Sequence, residues 1–371
     1  MKKAKKILLM MKQASETKKK FSIHERVNQK SIALINFGGI GDEILFLPVV
    51  ESLKKEFEED CAAKAGADAK ITLVLEPRSA SIVELTPLID EVIKCDIKAG
   101  GLKKYFNIFG MLREVWRGRF DLLITSGSSP FVAVLAFLTG IKKRYGYKSK
   151  TSFLLTKAVP LNKNQYASNM YHDLLSPLFK DDCTLPSIKA PKKFEKPFKG
   201  ANSNFIAIHP GVSKMSVQKN MFKCPDEFFW RGLIGELLER GEKVVLLGGP
   251  DDKEIIEQIT RNLQPTANFT NLYGKTKSLL DMADVINYSK TFICVDSAPM
   301  HIGVALNKNL IAIFGPTDEN KLIPKRDNFK VVKAECSCRP CLWEKRQTTC
   351  ETLDCLKIDP KAVVEIALSG K

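Results

Sequence analysis

The feature that most constrains this chain is an alternation of short apolar runs with segments of helical spacing, begun twice. It opens at Ser31 to Phe37 (SIALINF), a run of strand length, followed by Gly38, Gly39 and Gly41 and a helical pattern from Asp42 to about Phe57. Ile71 to Leu75, Glu91 to Cys95 and Asp121 to Thr125 repeat the strand signal, with helical spacing over Tyr105 to Trp116 and Pro130 to Leu138. Apolar strands separated by helices predict a parallel, doubly wound sheet. Between roughly Asp181 and Ser203 the period is lost in a Pro- and Lys-rich stretch, the signature of a linker. The alternation then restarts, with strands at Phe205 to Ile208, Lys243 to Leu247, Phe269 to Leu272, Thr291 to Val295 and Leu310 to Phe314. Helical spacing fills the gaps at Asp226 to Arg240, Asp252 to Asn262, Ser278 to Tyr288 and Pro299 to Leu306. At 371 residues the chain is too long for one core and suits two. The expected architecture is α/β: two Rossmann-like domains, residues 31–185 and 204–371, joined by a linker over 186–203, with parallel sheets facing across a cleft.

The net charge is +16, and half of it lies in the first thirty residues, where ten Lys or Arg stand against two Glu. Such a tail reads as a solvated extension or as a basic arm drawn to an anionic membrane surface, with Ile7, Leu8, Leu9, Met10 and Met11 dipping into the interface. No nucleic-acid-binding module accompanies it, so no nucleic-acid partner is expected. No stretch reaches the roughly 18 to 20 apolar residues of a membrane span. The run ILLMM is shorter than a signal-peptide core, so the expected location is cytoplasmic.

In doubly wound sheets ligands bind in loops at the carboxyl ends of strands, and four loops there carry polar chemistry. The first is Phe37-Gly38-Gly39-Ile40-Gly41-Asp42-Glu43. Its glycines let a ligand approach the backbone, but a G-x-G-x-x-G fingerprint is missing. Asp42 at the helix start would repel a pyrophosphate; it is either a helix cap or a general base. The second is His209-Pro210-Gly211-Val212-Ser213-Lys214, whose backbone, Ser213, Lys214 and Lys219 can cradle a phosphate; His209 is as readily a buried strand-end residue. The turn Gly248-Gly249-Pro250-Asp251 reads as architectural. The richest is Asp296-Ser297-Ala298-Pro299-Met300-His301, a strand end opening a helix with Pro in its first turn. The helix end and Ser297 suit a phosphate, and Asp296 can accept from sugar hydroxyls. Gly315-Pro316-Thr317-Asp318, after the next strand, adjoins it.

Taken in order, GGIGDEILFLPVV, IAIHPG, VVLLGGPDD, VDSAPMHIGVAL and IAIFGPTD resemble glycosyltransferase family 9, the ADP-heptose:lipopolysaccharide heptosyltransferases. The resemblance implies a glycosyltransferase-B fold, acceptor on the amino-terminal domain, ADP-heptose on the other, and inversion at the anomeric carbon. Asp42 matches the family's catalytic Asp, and Gly39, Gly41 and Lys214 are placed at acceptor or phosphate contacts. The donor set is His209, Gly211, Ser213, Lys219, Asp296, Ser297, Ala298, Met300, His301, Thr317 and Asp318. Lys214 and Lys223 compete with Lys219 for the phosphate, because the motif is stretched to KNMFKCP. Many relatives have Gly where Ala298 stands. No cofactor is required for the reaction this implies; the partners are ADP-heptose, a lipid-linked saccharide acceptor and an anionic membrane surface. Alternatives are a protein-modifying heptosyltransferase, another nucleotide sugar, or an inactive nucleotide-binding or nucleic-acid-associated protein, against which Asp42 argues.

Five of the ten cysteines fall within Cys336 to Cys355. Cys338, Cys341, Cys350 and Cys355 have spacings that suit a structural zinc or iron ion, with reduced thiols as the alternative. Some autotransporter-modifying members of the resembled family hold iron with a related cluster. Lys142, Lys143, Arg144 and Lys148 form a basic stretch that either meets acceptor phosphates or is a solvated loop.

Overall fold

A computed structural model describes residues 31–64, 69–198, 204–264, 266–342 and 350–369. The basic tail lies outside them. The chain divides into two compact units, Met1–Pro186 and Ser187–Lys371.

The first unit is a six-stranded sheet of β1 (Ser31–Ile35), β2 (Lys70–Leu75), β3 (Glu91–Lys94), β4 (Leu122–Thr125), β5 (Lys143–Tyr147) and β6 (Lys157–Val159). The spatial order is β3-β2-β1-β4-β5-β6 and every pairing is parallel. Central β1 is apolar throughout Ile32 to Ile35 and wholly buried, because helices cover both faces of a parallel sheet. One of the unit's apolar clusters packs Ile35, Val74 and Leu123 of the sheet against Ile108, Met111, Leu112 and Val115 of the helix Gly101–Gly118.

The second unit repeats the plan with β7 (Phe205–His209), β8 (Lys243–Leu246), β9 (Phe269–Asn271), β10 (Thr291–Val295), β11 (Leu310–Phe314) and β12 (Phe329–Lys333), ordered β12-β11-β10-β7-β8-β9 and again all parallel. Counted from its own first strand, the winding is the same as in the first unit. Its core closes around fully buried Trp230, on the helix Glu227–Glu239, with Val363 and Val364 of the carboxy-terminal helix Pro360–Leu368. Part of the Pro- and Lys-rich segment is fixed to this unit. The backbone N–H groups of Lys192, Lys193 and Phe194 all donate to the Asp284 carboxylate, at 2.7 to 3.0 Å.

Three strands carry no signal in the sequence reading: β5, β6 and β12. The basic stretch expected as an acceptor contact or a solvated loop is in large part β5. Arg144 is engaged internally, donating to the carbonyls of Leu154 (2.9 Å) and Ile141, with its guanidinium 5.4 Å from the Phe137 ring centre. Its guanidinium is thereby engaged by the segments that flank its own strand.

Candidate active site

Both sheets reverse their strand order once, between β1 and β4 in the first unit and between β7 and β10 in the second. Strand reversal leaves a crevice beyond the carboxyl ends, where loops on either side splay apart. The Asp42 loop follows β1. The His209 and Asp296 loops follow β7 and β10, where the register pairs Cys294 with His209.

In the first unit, Asp42 lies in the first turn of the helix Ile40–Lys64, which also contains Gly41. Its Oδ2 accepts the Gly39 N–H at 2.8 Å, so Asp42, the third residue of the helix, reaches back to cap its start as the acidic half of a capping box does. Its Oδ1 faces the Tyr171 hydroxyl, which donates at 3.3 Å. The carboxylate is thus held from both sides while the residue stays partly exposed. Gly38 makes this possible, since a Cβ there would stand 2.2 Å from the Asp42 Cβ. Burial holds the Tyr171 phenol well above its ordinary range, so it remains a donor. Tyr171 arrives on the short helix Ala167–His172, fastened to the long helix by an edge-on contact with Phe46 (5.5 Å) and by a Ser52–His172 hydrogen bond of 2.9 Å.

Behind Asp42, buried Glu43 accepts from Asn36 Nδ2 at 3.1 Å, and the Asn36 amide oxygen accepts from Ser126, after β4, at 2.7 Å. This chain ties the two strands flanking the reversal. Burial, and secondarily the charge of Asp42, raise the Glu43 carboxyl well above the usual carboxylate range, while its bond from Asn36 pulls the other way. A carboxyl raised in the folded state contributes stability in acid that is lost as pH rises towards its folded value. Glu43→Gln, which keeps the shape and the acceptor, is therefore expected to melt increasingly above wild type as pH rises from about 4 to 8. Melting temperatures across that range check it, and parallel curves would count against a neutral Glu43. Arg78 also stands at this loop, its Nη2 3.9 Å from where a Cβ on Gly39 would lie.

In the second unit, buried His209 sets Nε2 3.3 Å from Asp252 Oδ2, the oxygen that also accepts the Gly249 N–H at 2.7 Å. Gly211 is required here, because a Cβ would come 1.8 Å from Asp252 Oδ1. The Gly248–Asp251 turn is thus architectural through its neighbour Asp252. Ser213 caps the short helix Lys214–Gln218, accepting the Ser216 N–H at 3.3 Å, so its hydroxyl already has a structural role. Lys214 and Lys219 are exposed at the two ends of that helix. The cation that meets the Asp296 loop is Lys223, whose Nζ lies 3.2 Å from Asp296 Oδ2.

Ser297 stands at the N-cap of the helix Ala298–Ala305 without capping it; its hydroxyl points back to the Val295 carbonyl at 3.5 Å. Ser297 and Ala298 are partly exposed, and His301 is buried. Met300, expected among the donor contacts, is fully buried and packs in the core. In the adjoining loop, Asp318 caps the helix Glu319–Leu322, and Thr317 Oγ1 is buried with no hydrogen-bond partner among the described residues. Arg339 braces this loop by donating to the carbonyls of Gly315 and Thr317 and to Glu319.

Cys338, Cys341, Cys350 and Cys355 line one pocket of about 210 Å³ with Phe222, Pro316 and Leu353. Burial, then the neighbouring thiols Cys336, Cys338, Cys341 and Cys350, push Cys355 up to about 11. Among the described residues, no group of three or more His, Cys, Asp or Glu has an arrangement that holds a metal ion. The thiols share a pocket without converging on one point.

Residues 108–351 match the family model of glycosyltransferase family 9 (heptosyltransferase), a span that includes both donor-type loops but begins after Asp42. The chain is 30% identical over 296 residues to lipopolysaccharide heptosyltransferase 3 from Escherichia coli, covering 75% of this chain and 81% of that one. The chain belongs to glycosyltransferase family 9. It is an enzyme of the glycosyltransferase class with two Rossmann-like domains, the glycosyltransferase-B fold. Among solved structures, a family 9 glycosyltransferase from Veillonella parvula superposes with a TM-score of 0.72 at 21% identity, covering 94% of this chain and 99% of the other. E. coli heptosyltransferase WaaC with ADP-2-deoxy-2-fluoro heptose gives 0.68 at 18% identity, with 92% and 100% covered. In this family 9 enzyme, Tyr171, Glu43, Arg78 and Asp252 stand beside these loops in addition to the residues read from the sequence. KNMFKCP had already offered Lys223 as a candidate, whereas the Tyr171 contact spans 129 residues and leaves no local pattern.

Proposed function

We propose that this chain moves heptose from ADP-heptose to a lipid-linked saccharide of the lipopolysaccharide inner core, inverting the anomeric carbon, with Asp42 as general base. The observation that carries the reading is the Asp42 carboxylate, fixed by Gly39 and Tyr171 at the strand reversal of the first unit yet still open to solvent. Asp42 takes the proton of the acceptor hydroxyl as that oxygen attacks the anomeric carbon. The bond from that carbon to the β-phosphate oxygen breaks, and ADP leaves with the electron pair.

Donor contacts fall to the second unit. Asp296, paired with Lys223, faces sugar hydroxyls, while Lys223 and the uncapped helix end at Ser297 and Ala298 offset the charge building on the departing diphosphate. The buried Thr317 hydroxyl completes this wall. Lys223 takes the place first given to Lys219. No described helix is long and apolar enough to cross a membrane.

The donor assignment is tested by thermal shift. ADP at about a hundred times its Kd should stabilise the protein by about 2.7 kcal/mol, and UDP at the same concentration by clearly less; a UDP preference would replace heptose with another sugar. A structural zinc or iron ion at Cys338, Cys341, Cys350 and Cys355 would have to draw together four thiols that share a pocket without converging on one point. Metal analysis should then find about one ion per chain, lost in Cys350→Ser/Cys355→Ser; metal-free wild type that melts normally removes the ion.

A further inference from the structure

The helix Gly101–Gly118 carries two apolar stripes. Ile108, Met111, Leu112 and Val115 form the buried one. Leu102, Tyr105, Phe106, Phe109 and Trp116 recur at the same three- and four-residue spacing on another face, and each is between 48% and 74% exposed. The second stripe is a continuous surface. Phe109 and Trp116 meet edge to face at 6.3 Å, and the Trp116 indole donates to the Leu138 carbonyl at 3.2 Å, which brings half-exposed Leu138 alongside. At the other end the Lys104 ammonium sits 4.8 Å from the centre of the Phe131 ring. Large contiguous apolar surface rimmed by polar groups marks a contact site.

We propose that this face docks on an anionic phospholipid bilayer, with the helix lying in the plane of the interface. Charge complementarity selects the occupant. The helix bears Lys103, Lys104, Arg113 and Arg117 against the single acid Glu114. Two copies of the face brought together would oppose like charges, whereas lipid phosphates neutralise them. Trp and Tyr are the side chains that settle at the headgroup level, and Phe and Leu enter the acyl boundary below. The helix thereby positions the first unit, which carries Asp42, at the surface where a lipid-linked acceptor lies.

The inference rests on the lipid-linked acceptor for its purpose, but its test needs neither donor nor acceptor. Full-length wild type and Phe106→Ser/Phe109→Ser are co-sedimented with phosphatidylglycerol–phosphatidylethanolamine vesicles and with phosphatidylcholine vesicles. Wild type should favour the anionic vesicles, and the double variant should lose about tenfold or more of that partition at an unchanged melting temperature. Lys103→Glu/Arg117→Glu should weaken binding at low salt and converge with wild type at high salt. Undiminished binding by the Phe variant would overturn the proposal and assign the membrane to the basic first thirty residues. Wild type that does not bind, or a wild-type dimer that the Phe variant converts to monomer in sedimentation velocity, overturns it too. Transfer to a delipidated acceptor should be equal in both proteins, so a wild type inactive there counts against the function and not against the docking face.

Discussion

Asp42→Asn is expected to lower kcat by about 10²- to 10⁴-fold, the range of a positioned general base, with ADP protection of the second unit unchanged. The substitution isolates the chemistry. An Asn oxygen still accepts the Gly39 N–H, so the helix cap survives, but the amide takes no proton from an acceptor hydroxyl. Initial rates with a defined donor and acceptor, beside ADP thermal shifts, separate the two effects. Transfer at more than about a tenth of the wild-type rate would leave Asp42 as a cap and nothing more.

Gly38→Ala tests the same centre without touching a reacting group. The added Cβ would fall 2.2 Å from the Asp42 Cβ, an atom anchored next to the backbone that no rotamer change removes. The helix start or the loop must therefore move, and the carboxylate with it, away from Gly39 and Tyr171. A displacement near 1 Å at a catalytic group costs about a hundredfold in rate. The expected result is a kcat loss of that size, with donor protection intact and a modest fall in melting temperature. A variant with normal kcat would mean that the two held oxygens of Asp42 are irrelevant to turnover.

Much of this was legible in the sequence, for a physical reason. Parallel strands buried on both faces must be apolar, so SIALI, FIAIH, TFICV and LIAIF announce themselves, and the carboxyl ends of such strands fix where polar loops gather. The strands that went unread lack that signal. KRYGY is basic and FKVVK mixes two Lys with three apolar residues without a period of two, because β5 neighbours only the three-residue β6 beyond it and β12 lies at a sheet edge. The site divides in the same way. Asp42 and the Asp296 loop stand in contiguous motifs, whereas Tyr171, Arg78 and the Asn36–Ser126 link reach the site through tertiary contacts between distant segments. Glycines misled most. Gly38 and Gly211 read as openings for a ligand, but each clears space for a carboxylate of its own domain.

The pairing of Gly211 with Asp252 limits how this enzyme can diverge. Oδ1, Cγ and Cβ of Asp252 would all lie within 3 Å of a Cβ at position 211, and the same carboxylate holds both the Gly249 amide and His209. A side chain gained at 211 displaces the aspartate, and a shorter residue at 252 strands the histidine and the glycine turn. A single substitution at either position therefore disturbs the same carboxylate and the contacts it makes.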